Sequence, residues 1–188
     1  FAERQSLAVN GFHAADEGLA KALKLLLVTA LHQSPLISLV TDDSMLSAMA
    51  QLGFPARFPL RREHLFAVAS QRRIPYFVEG QLAAGSSGLK LLLQLFDRNV
   101  ASPLLSVEEA AKDRAGIPAM ADRAAVALRK AIGESAVSLN SSYVSLEQAT
   151  SKSTEAIELL IKGIEEYEAS RAEAAVTLFE EAVRIDPQ

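Results

Sequence analysis

The stretch Tyr76–Asp97, YFVEGQLAAGSSGLKLLLQLFD, decides the fold. Two strand-like runs, Tyr76 to Ala83 and Leu89 to Asp97, flank Ala84-Gly85-Ser86-Ser87-Gly88, whose glycines suit the turn of an antiparallel hairpin. Toward the carboxyl end, Arg98-Asn99 punctuates the chain and a third strand is expected around Ser102 to Ala110. Ile117, Met120, Ala124, Leu128 and Ile132 then mark a helix, with Pro118 in its first turn and Gly133 after its end. Toward the amino end, Arg61 to Arg72 reads as a helix with Leu65, Val68 and Ala69 inward, and Phe54 to Leu60, holding Pro55 and Pro59, reads as loop. Further upstream, Leu36 to Val40 is a short strand feeding a helix that Thr41-Asp42-Asp43 caps and Gly53 terminates. Leu19, Leu23, Leu26, Leu27, Ala30 and Leu31 form the stripe of an amphipathic helix that Asp16 caps and Ser34-Pro35 ends.

That order of elements predicts an α/β (α+β) domain over residues 1–135, a mixed sheet of about four strands covered by helices. The first helix has no strand to cross over from, so a strand before Phe1, missing or only partly retained, is expected. Residues 136–153 are polar and Ser-rich and read as a linker. Residues 154–188 read as two further helices, about Thr154 to Ala169 and Arg171 to Ile185.

Composition narrows the function classes. A hydrophobic fraction of 49% with 22% charged residues excludes a disordered chain. The net charge of -4 is uneven: residues 151–188 hold four basic and nine acidic residues, a net of -5, which leaves the first 150 near +1. The absence of cysteine removes disulfides, thiol nucleophiles and thiolate metal sites together. The longest apolar run, Leu19 to Leu31, is interrupted by Lys21 and Lys24 and is shorter than the roughly 20 residues a bilayer span requires, so no membrane segment is expected. Low aromatic content and a neutral first module argue against nucleic acid.

No catalytic or cofactor constellation emerges. Gly80 and Gly85 have the spacing of a phosphate loop, but Ser86 stands where its lysine belongs. His13, His32 and His64 lack metal-ligand spacing, and no serine sits in a nucleophile elbow. The carboxylate doublets Asp42-Asp43, Glu108-Glu109, Glu165-Glu166 and Glu180-Glu181 suit caps and solvated faces better than acid/base pairs. Arg57, Arg61, Arg62, Arg72 and Arg73 make the one basic cluster. It reads either as a solvated helix face or, through Arg61, Arg62, Arg72 and Arg73, as a site for an anionic ligand.

The last helices carry a resemblance. Gly163, Ala175, Phe179 and Pro187 stand at the offsets of the tetratricopeptide repeat, whereas Leu159, Lys162 and Glu166 replace its Trp, Leu and Tyr. By that resemblance Ile157, Leu160, Ile164 and Tyr167 line a groove for a protein or peptide partner; alternatively the same face packs on the α/β domain or on a neighbouring copy. One repeat cannot bury its faces alone, so self-association is also expected. The segments ALHQSPLISLVTDDSMLSAMAQLG, RRIPYFVEGQLAAGSSGLKLLLQLFD and VSLEQATSKSTEA together resemble a bacterial domain similar in layout to the amino-terminal domain of the Tol translocation protein TolB.

What this resemblance implies is a sensory or scaffolding region in the extracytoplasmic part of a larger signalling protein, such as a serine/threonine kinase or winged-helix regulator. A chain that begins at Phe1 and stops at the end of a repeat fits an excised piece of such a parent. The function expected is a non-catalytic protein-interaction module without cofactor; the alternative is an α/β domain that senses a small ligand or anion.

Overall fold

The computed structural model describes residues 4–146, 151 and 153–187. Its framework is a five-stranded mixed sheet, β1 (Gln5–Ala14), β2 (Ile37–Val40), β3 (Tyr76–Gly85), β4 (Gly88–Asp97) and β5 (Leu105–Ala111), in the order β2-β1-β3-β4-β5. β1 runs parallel to both β2 and β3, and β3, β4 and β5 form an antiparallel meander. The chain is therefore α+β, as expected, with one strand more than the sequence indicates. The extra strand is β1: the strand that α1 (Glu17–His32) crosses over from lies within the chain and not before Phe1.

The hairpin forms where the glycines ask for it. Gly85 pairs with Gly88 across Ser86-Ser87, and Gly88 has φ +109°. A side chain there would also meet the Ala111 carbonyl oxygen at 2.4 Å, so both backbone conformation and space demand glycine.

Strand alternation feeds two cores. On one face Leu7, Val9, Val78 and Leu95 meet α1 and α4 (Ile117–Ala131). The other face carries Ala8, Phe77 and Phe96, packed under α2 (Asp42–Gln51) and α3 (Arg62–Gln71). There Phe77 and Phe96 stack at 5.2 Å, with Phe66 edge-on to Phe77 at 4.9 Å. α2 and α3 cover only part of this face; Gln81, Lys90 and Glu108 remain exposed on the rest.

Within the stretch read as a linker, α5 (Ala136–Ser142) is capped by Ser135, and Leu139 and Leu146 are buried. A buried cluster ties this corner to the sheet. Arg129 donates from Nε and Nη2 to Glu134 at 2.8 and 2.6 Å, and Ser34 and Ser138 donate to the same carboxylate at 2.6 and 2.7 Å. Beside it the Arg129 guanidinium lies 4.9 Å from the Tyr143 ring centroid, and the Tyr143 hydroxyl donates to Asp122. Part of the VSLEQATSKSTEA junction, residues 147–150 and 152, lies outside the described residues.

α6 (Thr154–Glu168) and α7 (Ala172–Ile185) form a helical hairpin that turns at Ser170, where φ is +61°. Phe179 lies so close to Gly163 that a methyl group there would meet the ring at 2.4 Å. α6 packs along α1: Ile157, Ile161 and Ile164 belong to the same core as α1 and the sheet. Arg114, in a short 3-10 turn (Arg114–Gly116) before α4, bridges Asp16 at 3.0 Å and Glu165. Burial pushes the Glu165 carboxyl upward against the pull of Arg114. No helix among the described residues is long and apolar enough to cross a membrane.

Candidate binding crevice

β1 is ten residues long and β2 only four. Their parallel pairing ends at Ala8 opposite Val40, so among the described residues Val9 to Ala14 run on without a strand neighbour on that side. The chain leaves β1 for α1 on one face of the sheet and leaves β2 for α2 on the other. The carboxyl ends of two adjacent strands whose connections part to opposite faces enclose a crevice, the usual position of binding sites in α/β sheets.

Here that crevice is open and has a volume of about 980 Å³. The edge of β1 forms its floor, and α1 forms one wall through Lys21, Lys24, Leu25 and Val28. Arg57, Phe58, Pro59 and Arg61, in the loop before α3, form the other. A bulge in β1 sets the second wall: Val9 pairs with Val78 but Phe12 pairs with Gly80, so Asn10 and Gly11 stand opposite Glu79 alone. The buried Asn10 amide uses both its donor and its acceptor on the backbone of Leu60, at 2.9 and 2.8 Å, and so fixes the loop at the sheet edge. Gly11 lets Pro59 approach: a Cβ there would lie 3.2 Å from the Pro59 Cα. Lys24 joins the walls, holding Asp42 at 2.7 Å with its ammonium 4.5 Å from the Phe58 ring centroid.

Charge is unevenly distributed. Four cations line the crevice, Lys21, Lys24, Arg57 and Arg61, against two carboxylates, Glu17 and Asp42: a surplus of two on a chain of net charge -4. With Lys24 engaged by Asp42, the side chains of Lys21, Arg57 and Arg61 are exposed and have no ion-pair partner among the described residues.

The four arginines read as one anion site are separated. Arg61 and Arg62 precede and open α3, whereas Arg72 and Arg73 follow its end, roughly 15 Å away along a ten-residue helix at ~1.5 Å per residue. Only Arg61 faces the crevice. Arg62 turns to the open sheet face, donating to Glu79 (Nε to Oε1, 2.8 Å) and Gln94 (3.1 Å) with its guanidinium 4.8 Å from the Phe96 ring centroid. The hydrogen bond that Arg62 donates to Glu79 raises its pKa further. A smaller cavity of about 220 Å³ beside it is lined by His13, Glu79, Gln81 and Gln94. Arg72 lies 3.3 Å from the Ser47 hydroxyl, and Arg73 is exposed at φ +55°.

Of the four residues read as a partner-binding face, Ile157 and Ile164 are buried and Leu160 partly so, all against the core that contains α1; Tyr167 is exposed. In the sequence Arg57 and Arg61 stand out as part of a basic cluster, whereas Lys21, Leu25 and Phe58 carry no binding signal. Pro55 and Pro59 mark the loop that carries half of the crevice, yet only the unrecognised β1 shows what that loop faces.

No protein-family model and no curated protein matches this chain. Solved structures do. The LpoB C-terminal domain from Salmonella enterica is similar with a TM-score of 0.52 at 18% identity, over 60% of this chain and 85% of that one. The Escherichia coli LpoB C-terminal domain gives 0.52 at 17%, over 59% and 84%. TolB from Acinetobacter baumannii gives 0.51 at 17%, over 70% of this chain but only 29% of TolB. The α/β part of the chain thus has an LpoB-like and TolB-like fold.

Proposed function

We propose that this chain is a non-catalytic protein-interaction module whose α/β domain holds a segment of a partner protein in the crevice beside β1. One observation carries the reading: β1 outruns β2 and leaves an unpaired strand edge between two walls that combine apolar and cationic side chains. Polar backbone left unpaired at a sheet edge is a template for another chain, and folds that do not use it usually cover or blunt it. Here the bulge and the loop at Pro59 and Leu60 cover the edge only at Asn10 and Gly11, leaving Phe12 to Ala14 open to the crevice, and α6, packed along α1, braces the opposite wall. Tyr167 on α6 and Val176 and Val183 on α7 are also exposed, and are available to the repeat-like contact that the residue offsets imply. With the resemblance to bacterial sensory regions, the module belongs in this reading to the extracytoplasmic part of a larger signalling protein.

The test is site-specific photocrosslinking in the source organism, with the reactive residue at Leu25 in the crevice or at Lys90 on the exposed sheet face. The expected result is a partner protein, identified by mass spectrometry, that crosslinks at Leu25 and not at Lys90. Equal crosslinking from both positions, or none from Leu25, overturns the reading.

A further inference from the structure

Building on that reading, we propose that the crevice takes an extended acidic segment of the partner, added to the sheet as a strand along the free edge of β1. Three features point to this occupant. The first is backbone shape. Past the bulge, Phe12, His13 and Ala14 keep regular register with Gly80, Gln81 and Leu82 of β3, so their other side is a straight edge onto which a strand can pair. From Phe12 to Ala14 that edge is roughly 10 Å long at ~3.3 Å per residue, room to pair about three residues of a segment that continues into the open crevice.

The second feature is the surface facing that segment. Leu25, 39% exposed, lies with Val28 on the α1 wall, and Phe58 stands across from them. An extended peptide presents its side chains alternately, so one set would rest on these apolar groups and the other would reach the rim. The rim cations are Lys21, Arg57 and Arg61. On a chain of net charge -4, this positive crevice selects a partner segment rich in Asp and Glu.

The third is Arg61 itself. It occupies the N-cap position of α3 and makes no capping hydrogen bond. Asp, Ser, Thr or Asn would satisfy a free amide there, and a cation is opposed by the positive end of the helix dipole. Helix formation gains nothing from arginine at this position, whereas binding a carboxylate does. Nucleic acid fits the crevice less well. Three free cations make a small phosphate footprint, and the Phe58 ring already has Lys24 over it instead of a face open to a base.

The experiment is selection of linear peptides of about a dozen residues from a random phage-displayed library on the whole chain, followed by titration of the best synthetic peptide. The expected winners alternate Asp or Glu with β-branched or aromatic residues. The peptide should bind ~10-fold or more weakly to the double variant Arg57→Glu/Arg61→Glu, weaken with rising salt, and lose binding when alternate peptide nitrogens are methylated. Circular dichroism melts of each variant verify that it is folded. Enriched peptides that are neutral or basic, but are blocked by Leu25→Asp, overturn the acidic-strand proposal and leave the crevice as a protein-binding site. Peptides indifferent to Leu25→Asp, or no enrichment at all, overturn both. Undiminished binding of the N-methylated peptide overturns strand addition. Tighter binding of a thymidine oligonucleotide, lost in Arg57→Glu/Arg61→Glu, overturns the proposal in favour of nucleic acid. Dimerisation of the chain abolished by Leu25→Asp overturns it in favour of a second copy.

Discussion

The corner where α4 meets α5 holds one arginine, the crevice beside β1 has two, and the two places use them in opposite ways. Arg129 is fully buried and shares two hydrogen bonds with a carboxylate whose remaining capacity is taken up by Ser34 and Ser138. Arg57 and Arg61 are exposed and meet no carboxylate among the described residues. In the corner, charge closes on itself and fixes the chain; at the crevice, charge is left open. Under the proposed function, the first arrangement holds the fold together and the second is left for a partner.

The strongest way to break this comparison is to open the corner. Arg129→Met leaves Glu134 buried without its cation, and such a loss costs about 3–5 kcal/mol. Urea unfolding should show it as a lower midpoint with an unchanged slope. A cost below about 1 kcal/mol would mean that the pair is as marginal as a surface bridge, and the distinction would fail.

Acid acts on the same cluster with slightly less effect. Burial alone would push the Glu134 carboxyl up, but hydrogen bonds from Arg129, Ser34 and Ser138 outweigh it and lower its pKa to about 2. A folded value below the unfolded one means that the stabilisation is complete above about pH 5 and disappears as pH falls toward 2. It amounts to on the order of 3 kcal/mol. Glu134→Gln should flatten that limb of a stability–pH curve; an unaltered acid limb would show that other carboxylates carry it.

What could be read from the sequence follows this division between local and distant partners. The α1 stripe, the Gly85–Gly88 turn and the pairing of the last two helices, whose Gly163 and Phe179 stand at repeat offsets, depend on spacing within a few turns and are legible in the sequence. β1 is not, because Asn10-Gly11 interrupts its alternation with what reads as a turn. Asn10 is tolerated in the interior only because Leu60, fifty residues on, satisfies its amide. The serines around α5 read as linker for a similar reason: Ser135 caps the helix, and Ser138 bonds Glu134 inside a cluster completed by Ser34. The arginine pairs looked like one site because sequence proximity hides a helix's length between them. The crevice depends on β1 and the loop together, so neither segment alone revealed it.

The helical hairpin offers an intermediate test, since its two helices meet through shape where Phe179 lies against Gly163. Gly163→Ala should gain about 1 kcal/mol of helix propensity but force the new methyl group into the Phe179 ring, 2.4 Å away, at about 1–3 kcal/mol. The expected net is a loss of about 1 kcal/mol in urea unfolding, relieved when Phe179→Leu is added. A stabilised Gly163→Ala would mean that the hairpin repacks freely and that its seat on α1 is not fixed by Phe179.

The smallest expected effect sharpens the comparison most, because its sign is opposite. Arg61 stands at the N-cap of α3 without a cap bond, beside the positive end of that helix. Arg61→Asp supplies an acceptor for a free amide and removes an unfavourable cation, and should stabilise the fold by about 0.5–1 kcal/mol. A rise in melting temperature together with weaker binding of acidic peptides is the signature of a residue maintained at some expense to stability. A fall in melting temperature would show that Arg61 supports the loop between Phe58 and α3, and the open charge of the crevice would then have a structural explanation after all.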